Sequence, residues 1–204
     1  MTGIIDYGVG NLFSLRSSFE AIGEKAVVTS KTEELDRCER IILPGVGAFG
    51  DAAKKLRDSG LDAAVLGAAK DGKPVLGICL GMQLLFERSF EYGQHKGLSL
   101  IGGSVRPLAD VLPDGFAIPH IGWNALHFTG KSELFKYVNE GDHVYFVHSF
   151  YGAECGESLS AWTEYGVKVT AAVERGRVFG TQFHPEKSGR VGLAILKAFC
   201  EVKA

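Results

Sequence analysis

The chain has 204 residues, 46% of them hydrophobic and 23% charged, with a net charge of -2 and a mean hydropathy of +0.08. At roughly 150 residues per domain this predicts one domain over residues 1–204, with a core large enough to need no disulfide or metal staple. The near-neutral charge argues against a nucleic-acid partner and the apolar content against disorder, which leaves glycine as the one departure: 27 residues, about 13% against a usual ~7%, implying tight turns and close backbone approaches.

Met1-Thr2-Gly3-Ile4-Ile5-Asp6 lacks a basic start and carries an acid where a signal peptide would be apolar, which predicts a cytoplasmic chain. The longest largely apolar stretch, Pro74 to Phe86, is too short for the ~20 residues of a membrane span, so no membrane association is expected. Cys38, Cys79, Cys155 and Cys200 are scattered without a C-x-x-C pair, and neither a metal site nor a disulfide framework is expected.

In chain order, Gly3 to Asp6 reads as a buried strand. Asn11 is placed to cap a helix in which Leu12, Leu15, Phe19 and Ile22 recur at helical spacing until Gly23 stops it. Lys25 to Thr29 and Arg40 to Leu43 are the second and third strands. A glycine loop from Pro44 to Gly50 leads into helical stretches over Asp51 to Asp58 and Leu61 to Asp71, and Pro74 to Ile78 is the fourth strand, followed by a helix over Leu80 to Phe86. Beyond Gly97 the runs shorten: Gly103 to Pro107, Phe116 to Phe128, Asp142 to His148, Ser160 to Tyr165, Val167 to Val173 and Val178 to Phe183, closed by a helix over Val191 to Glu201. The expected fold is α/β: an open, mostly parallel central sheet flanked by helices, flavodoxin-like, with an additional antiparallel, β-rich portion.

Gly77-Ile78-Cys79-Leu80-Gly81 has the G-x-nucleophile-x-G form of a strand-to-helix elbow, with sulfur as the nucleophile. A cysteine there stands at a helix N-terminus, which favours a thiolate. The competing reading is a buried packing cysteine, and it holds for Cys38, Cys155 and Cys200, which have no such context. A thiolate needs a proton shuttle. His120, His148 and His184 fall at predicted strand ends, and only His184 has an acid, Glu186, placed by an extended backbone on the same face. Glu186 can therefore orient the imidazole as the third member of a triad. Oxyanion donors are available from the Leu80 N–H and from the Pro44-Gly45-Val46-Gly47 loop.

Two rival motifs fail. Gly45, Gly47 and Gly50 imitate a dinucleotide fingerprint, but Asp71 stands before a strand instead of at the end of one, so no cofactor is expected. Gly130-Lys131-Ser132 imitates the end of a phosphate-binding loop whose leading glycine would be Ala125.

The elbow, Gln182-Phe183-His184-Pro185-Glu186 and the Pro44 loop together resemble the class I glutamine amidotransferases. Within that family Asp6 to Leu12, Pro44 to Ala53, Gly77 to Phe86, Pro119 to Asn124, Tyr145 to Ser149 and His184 to Gly189 are similar to the glutaminase subunits of imidazole glycerol phosphate synthases, from residue 3 to about 200. The resemblance implies hydrolysis of L-glutamine to glutamate and ammonia by Cys79, His184 and Glu186. It implies an oxyanion hole at Val46, Gly47 and Leu80, and glutamine contacts at Gly47, Gln83, Ser149 and Phe150. It further implies a heterodimer with a separate (β/α)8 cyclase subunit that takes the ammonia in histidine biosynthesis, docked at Asn11, Trp123, Tyr145 and Lys187. Phe150 stands where a tyrosine is expected, and Gly102 also departs from the pattern. Other readings stay open: core packing for Trp123 and Tyr145, a different amidotransferase or free-standing cysteine hydrolase, and a non-catalytic flavodoxin-like binding module.

Overall fold

A computed structural model describes residues 1–203. Thr2–Ile5 (β1), Ala26–Thr29 (β2), Arg40–Leu43 (β3) and Val75–Ile78 (β4) lie parallel in the order β2-β1-β3-β4. β1 and β4 are buried on both faces along their whole length, which is why they read as unbroken apolar runs without alternation. The crossovers are Leu12–Ala21 (α1), Thr32–Asp36 (α2), Phe49–Asp58 (α3) and Leu61–Lys70 (α4). Gly23 ends the first of these: at φ +75° it lets its own N–H reach Glu20 O (3.1 Å) and that of Glu24 reach Phe19 O (2.9 Å). Asn11 occupies the N-cap position of α1, yet its side chain makes no capping bond, contrary to expectation.

After β4 the chain forms Leu80–Leu84 (α5), Phe86–Ser89 (β5), His95–Lys96 (β6), Ile101–Pro107 (β7), His120–Ala125 (β8), His127–Phe128 (β9), His143–His148 (β10), Phe150–Ala153 (β11), Leu159–Tyr165 (β12), Val167–Arg175 (β13), Val178–Thr181 (β14) and Gly189–Glu201 (α6). β14 joins the main sheet parallel to β4, and β13, β12 and β9 extend it antiparallel to eight strands. Two small sheets stand beyond it, β11-β7-β5-β6 and the hairpin-like pair β10-β8.

Successive side chains of β1 point to opposite faces and so enter different cores. Ile4 belongs to one core with Leu15 and Phe19 of α1 and Ile195, Leu196 and Phe199 of α6, whereas Ile5 belongs to another with Phe49 and Leu56 of α3 and Leu61 and Val65 of α4. Phe19 and Phe199 are fully buried, each contributing roughly 1.5–3 kcal/mol.

Two expected elements are corrected. The helix over Leu80 to Phe86 ends at Leu84, because the carbonyls of Leu84, Leu85 and Phe86 accept from Leu98, Leu100, Ile101 and Ser99 of the returning chain, and Phe86 already opens β5. The run from Phe116 to Phe128 becomes a strand only at His120, after Pro119, which has no N–H to give a ladder. It breaks again at Leu126, whose N–H turns to Asp142 O, so that β9 pairs with β12 instead of β10. The C-terminal ends of β3, β4 and β14 point at one crevice, the usual ligand position in an open parallel sheet.

Candidate active site

Cys79 sits between β4 and α5 with φ 54° and ψ -112°, a left-handed conformation that costs an ordinary residue about 1–3 kcal/mol. Its backbone is over-determined: the Cys79 N–H donates to Thr181 O (2.7 Å) and its carbonyl accepts from Gln83 N–H (3.1 Å). The turn is possible because α5 lies directly on the sheet. Gly77 and Gly180 are partners across β4 and β14, and a Cβ on either would strike α5, at Gly81 O (2.6 Å) and Met82 Cγ (2.3 Å) respectively. Two glycines thus make room for one short helix.

His184 follows β14, and its Nδ1 lies 2.8 Å from Glu186 Oε1, both side chains being almost wholly buried. Burial opposes the charged imidazolium and is the largest single influence, but interaction with the Cys79 thiol and with Glu186 outweighs it and raises His184 to about 9. The sulfur accepts from Gln182 Nε2 (3.7 Å) and approaches Val147 O at 4.0 Å. Gln83 Nε2 donates to both Phe150 O and Gln182 Oε1, each at 3.0 Å. With its amide hydrogens taken, Gln83 has a carbonyl oxygen left to offer a ligand.

These groups open into a cleft of about 310 Å³ that Cys79, His184, Gln83, Ser149, Phe150, Val46, Gly47 and Leu80 line together. The Leu80 N–H, first of α5, has no acceptor within its own helix. Gly45 lies against that helix, where a Cβ would meet Gly81 N at 2.8 Å, so the Val46-Gly47 tip is held beside the sulfur. Phe150 contributes its carbonyl, while its ring stands edge-on to exposed Tyr92 at 6.0 Å; no hydroxyl is present where tyrosine was expected. Gly102, the other departure, faces open space.

Two residues of the site were given no role by the sequence. Tyr7, buried, donates its hydroxyl to Pro44 O (2.8 Å) at the root of the glycine loop, and burial followed by the charge on Cys79 holds its phenol far above the ordinary range. Glu91 lines the cleft and accepts from Phe49 N–H (2.5 Å), and burial raises its carboxyl. Only the chain's return through β5 and β6 brings Glu91 there.

Burial raises the thiols of Cys38, Cys155 and Cys200, the last to about 11, and none of the three lines the cleft. Trp123 is 53% exposed and stands edge-on to Tyr145, its partner across β8 and β10, with Lys187 Nζ 5.8 Å from the Tyr145 ring centroid. Core packing is therefore not the role of Trp123. Asn11 is half-buried, on the loop before α1. Gly130-Lys131-Ser132 lies away from the cleft, where Ser132 accepts from Leu134 N–H (3.2 Å) as a helical cap. Among the described residues no His, Cys, Asp or Glu cluster is arranged to hold a metal ion, and no helix is long and apolar enough to cross a membrane.

Residues 3–202 match the family model for glutamine amidotransferase class-I. The chain belongs to that family. Among class-I glutamine amidotransferases it is 48% identical over 204 residues to imidazole glycerol phosphate synthase subunit HisH of Wolinella succinogenes, covering 99% of this chain and 100% of that protein. It is 50% identical to the protein of the same name from Geobacillus thermodenitrificans, covering 98% and 94%. The fold is that of a solved glutamine amidotransferase, with a TM-score of 0.75 at 20% identity over 98% of both chains. It is likewise similar to the structure of PurLQS from Thermotoga maritima, with a TM-score of 0.74 at 20% identity over 98% of this chain and 96% of that one.

Proposed function

We propose that this amidotransferase is the glutaminase subunit of an imidazole glycerol phosphate synthase, acting in the cytoplasm as a heterodimer with a (β/α)8 cyclase. The observation that carries the reading is the convergence in one cleft of an elbow cysteine, a histidine oriented by a buried carboxylate and an amide-lined ligand wall, in a chain that matches such subunits along its whole length.

The Cys79 sulfur attacks the side-chain carboxamide carbon of glutamine, and the carbonyl electron pair moves to oxygen, where the Leu80 N–H and the Val46-Gly47 loop stabilise it. His184, holding the proton it took from the Cys79 thiol, gives it to the nitrogen as the C–N bond breaks and ammonia departs, which leaves a thioester on Cys79. His184 then takes a proton from water as the water oxygen attacks the thioester, and returns it to the sulfur as the C–S bond breaks, which releases glutamate and restores the thiol. Glu186 fixes the Nδ1–H of His184 and keeps Nε2 available for both transfers. The α-ammonium of glutamine is held by Gln83 Oε1 and the Glu91 carboxylate, and its α-carboxylate meets Ser149 and the Phe150 backbone. Ammonia crosses to the cyclase at a face built from Asn11, Trp123, Tyr145 and Lys187.

Glutamate release is measured for the purified chain alone and after addition of the cyclase subunit with its ligand. A rise of about tenfold or more is expected, within the usual range of coupling between sites. An unchanged rate refutes the assignment.

A further inference from the structure

His120 and His148 are buried histidines that the triad does not use. They are register partners across β8 and β10, with His120 Nδ1 3.0 Å from His148 Nε2. His120 Nε2 lies 2.8 Å from the Asn124 amide, and His148 Nδ1 lies 2.8 Å from Phe150 O. His120 is stacked between Tyr165 and Phe146, at centroid separations of 3.9 and 4.9 Å, and His148 packs on Phe146 at 5.7 Å. Beyond Phe150 the same carbonyl takes Gln83 Nε2, Gln83 also donates to Gln182, and Gln182 donates to the Cys79 sulfur. A continuous line of hydrogen bonds runs from β8 to the nucleophile.

Counting protons decides how this line is wired. With the Asn124 oxygen toward His120 both ends of the line are acceptors, and the four ring nitrogens between them need three protons to make every link. Two neutral imidazoles carry two. A third proton would place a full charge in the interior, where the ionisable groups that face the pair are His184, from the turn after β14, the Tyr165 phenol of β12, which is engaged with Ala117 O, and, across the cleft whose wall His148 shares, Cys79, Glu91 and Lys187. Burial pushes both imidazoles away from the charged form, His148 to about 3, and the charges of His120 and His184 oppose His148 further.

The pair is neutral, so one of the three links must give, and giving up the central one would set two bare ring nitrogens against each other 3.0 Å apart in the interior, which leaves the two ends. At the Phe150 end the ring is stacked and the carbonyl is fixed at the start of β11, so a bare Nδ1 would face a carbonyl oxygen at 2.8 Å with neither able to turn. At the other end a half-turn of the Asn124 amide exchanges its oxygen and nitrogen. The Nδ2–H then meets His120 Nε2, and the oxygen faces the Glu164 carbonyl 3.1 Å away, at an exposed edge where water can serve both.

We infer that Asn124, His120 and His148 form a one-directional donor line, Asn124 Nδ2–H to His120 Nε2, His120 Nδ1–H to His148 Nε2 and His148 Nδ1–H to Phe150 O, which makes both histidines positioning residues for the Phe150 carbonyl and through it for Gln83 and Gln182. The direction of the line is set at its β8 end. Turning the Asn124 amide over moves the proton of each ring to Nε2 and withdraws the donor from Phe150. If β8 and β10 form the docking face, as in the function proposed above, a partner that grips Asn124 reaches the glutamine cleft without moving the backbone; the tautomer assignment itself does not depend on that reading.

The test is nitrogen NMR of the full chain labelled in histidine, at about pH 7.5. Both rings are expected as Nδ1–H, the minor tautomer of free imidazole; an Nε2–H or a doubly protonated ring at either position overturns the proposal. Asn124→Asp presents acceptor oxygens alone, so His120 Nε2 is expected to gain a proton, and a bare Nε2 in that variant overturns the role of Asn124. In the assembled complex, at a pH where the same NMR measurement finds His120 singly protonated in Asn124→Asp, the variant is expected to raise KM for glutamine roughly tenfold with kcat changed less than about twofold. An unchanged KM refutes positioning. Absence of glutamine turnover in the unmodified complex would count against the glutaminase reading and leave the NMR result standing.

Discussion

Gly81→Ala tests whether the close approach of α5 to the sheet is what makes the site. The added Cβ would stand 1.8 Å from Leu43 O, 2.8 Å from Leu43 C and 3.1 Å from Pro44 C. All three are backbone atoms at the end of β3, so no side-chain rotation relieves the clash. Ordinary contact begins at 3.4 Å, and α5 must therefore lift from β3 by about 1.6 Å. That is the gap across which the proposed oxyanion donors converge: the Leu80 N–H stands on one side and the Val46-Gly47 loop on the other. A misplacement of ~1 Å costs on the order of 10²-fold in rate, and overpacking of this kind destabilises by about 1–3 kcal/mol. The variant is expected to fold, to melt at a lower temperature and to lose about 100-fold in kcat, measured as glutamate release in the assembled complex beside thermal unfolding. Gly67→Ala serves as the control. Gly67 lies within α4 with open space at its Cβ, so alanine should add about 0.5–1 kcal/mol of stability and leave kcat unchanged. A folded Gly81→Ala protein with kcat within about threefold of the parent would refute the argument.

Cys79→Ala should abolish glutamine-dependent synthesis by the complex and spare ammonia-dependent synthesis by the cyclase; residual glutamine consumption by the variant would displace Cys79 as nucleophile. Alkylation followed by mass mapping should label Cys79 first, with glutamine protecting it, because burial holds the other three thiols protonated; faster labelling of Cys155 would contradict this. Tyr7→Phe removes the donor to Pro44 O and should lower kcat about tenfold with little change in KM, since the buried carbonyl loses about 1–3 kcal/mol of satisfaction and the glycine loop its anchor; equal kcat would assign Tyr7 to packing alone. His184, raised from 6.5 to about 9 in the folded state, contributes stability that is complete below about pH 6.5 and is lost as pH rises through about 9. Glu186→Gln should therefore destabilise by about 1–2 kcal/mol at pH 6, with the difference closing above pH 9, and a pH-independent difference in denaturant midpoint would refute the coupling.

The parallel half of the fold was legible because each strand is short, apolar and followed by a helix with its own stop. Gly23 shows the mechanism, since one residue with positive φ both ends α1 and turns the chain into β2. What escaped were elements defined by partners instead of pattern. β5 and β6 contain Glu87, Arg88, His95 and Lys96, and they are strands because the segment from Gly97 to Ile101 returns to the end of α5. No local periodicity marks that return, and the same returning chain cut the apolar run from Leu80 to Phe86 into a short helix and a strand. β11 was missed for the same reason: its pairing with β7 joins residues far apart in sequence.

The site divides along the same line. Cys79, His184 and Glu186 were readable because local rules reveal them: an elbow needs glycines at fixed offsets, and an extended H-P-E places its acid on the histidine's own face. Gln182, Tyr7 and Glu91 carry no such offset, and their roles arise where the end of β14 meets the Cys79 elbow and where the end of β1 and the segment after β5 meet the glycine loop. Asn124, His120 and His148 stand between these cases. Alternation along β8 puts His120 and Asn124 on one face, and the antiparallel register then sets His148 opposite His120. The residue types were visible and the pairing was not, yet only the pairing yields two acceptors separated by four ring nitrogens. A count of protons over that arrangement, and not any single residue, ties the exposed strand to the sulfur of Cys79.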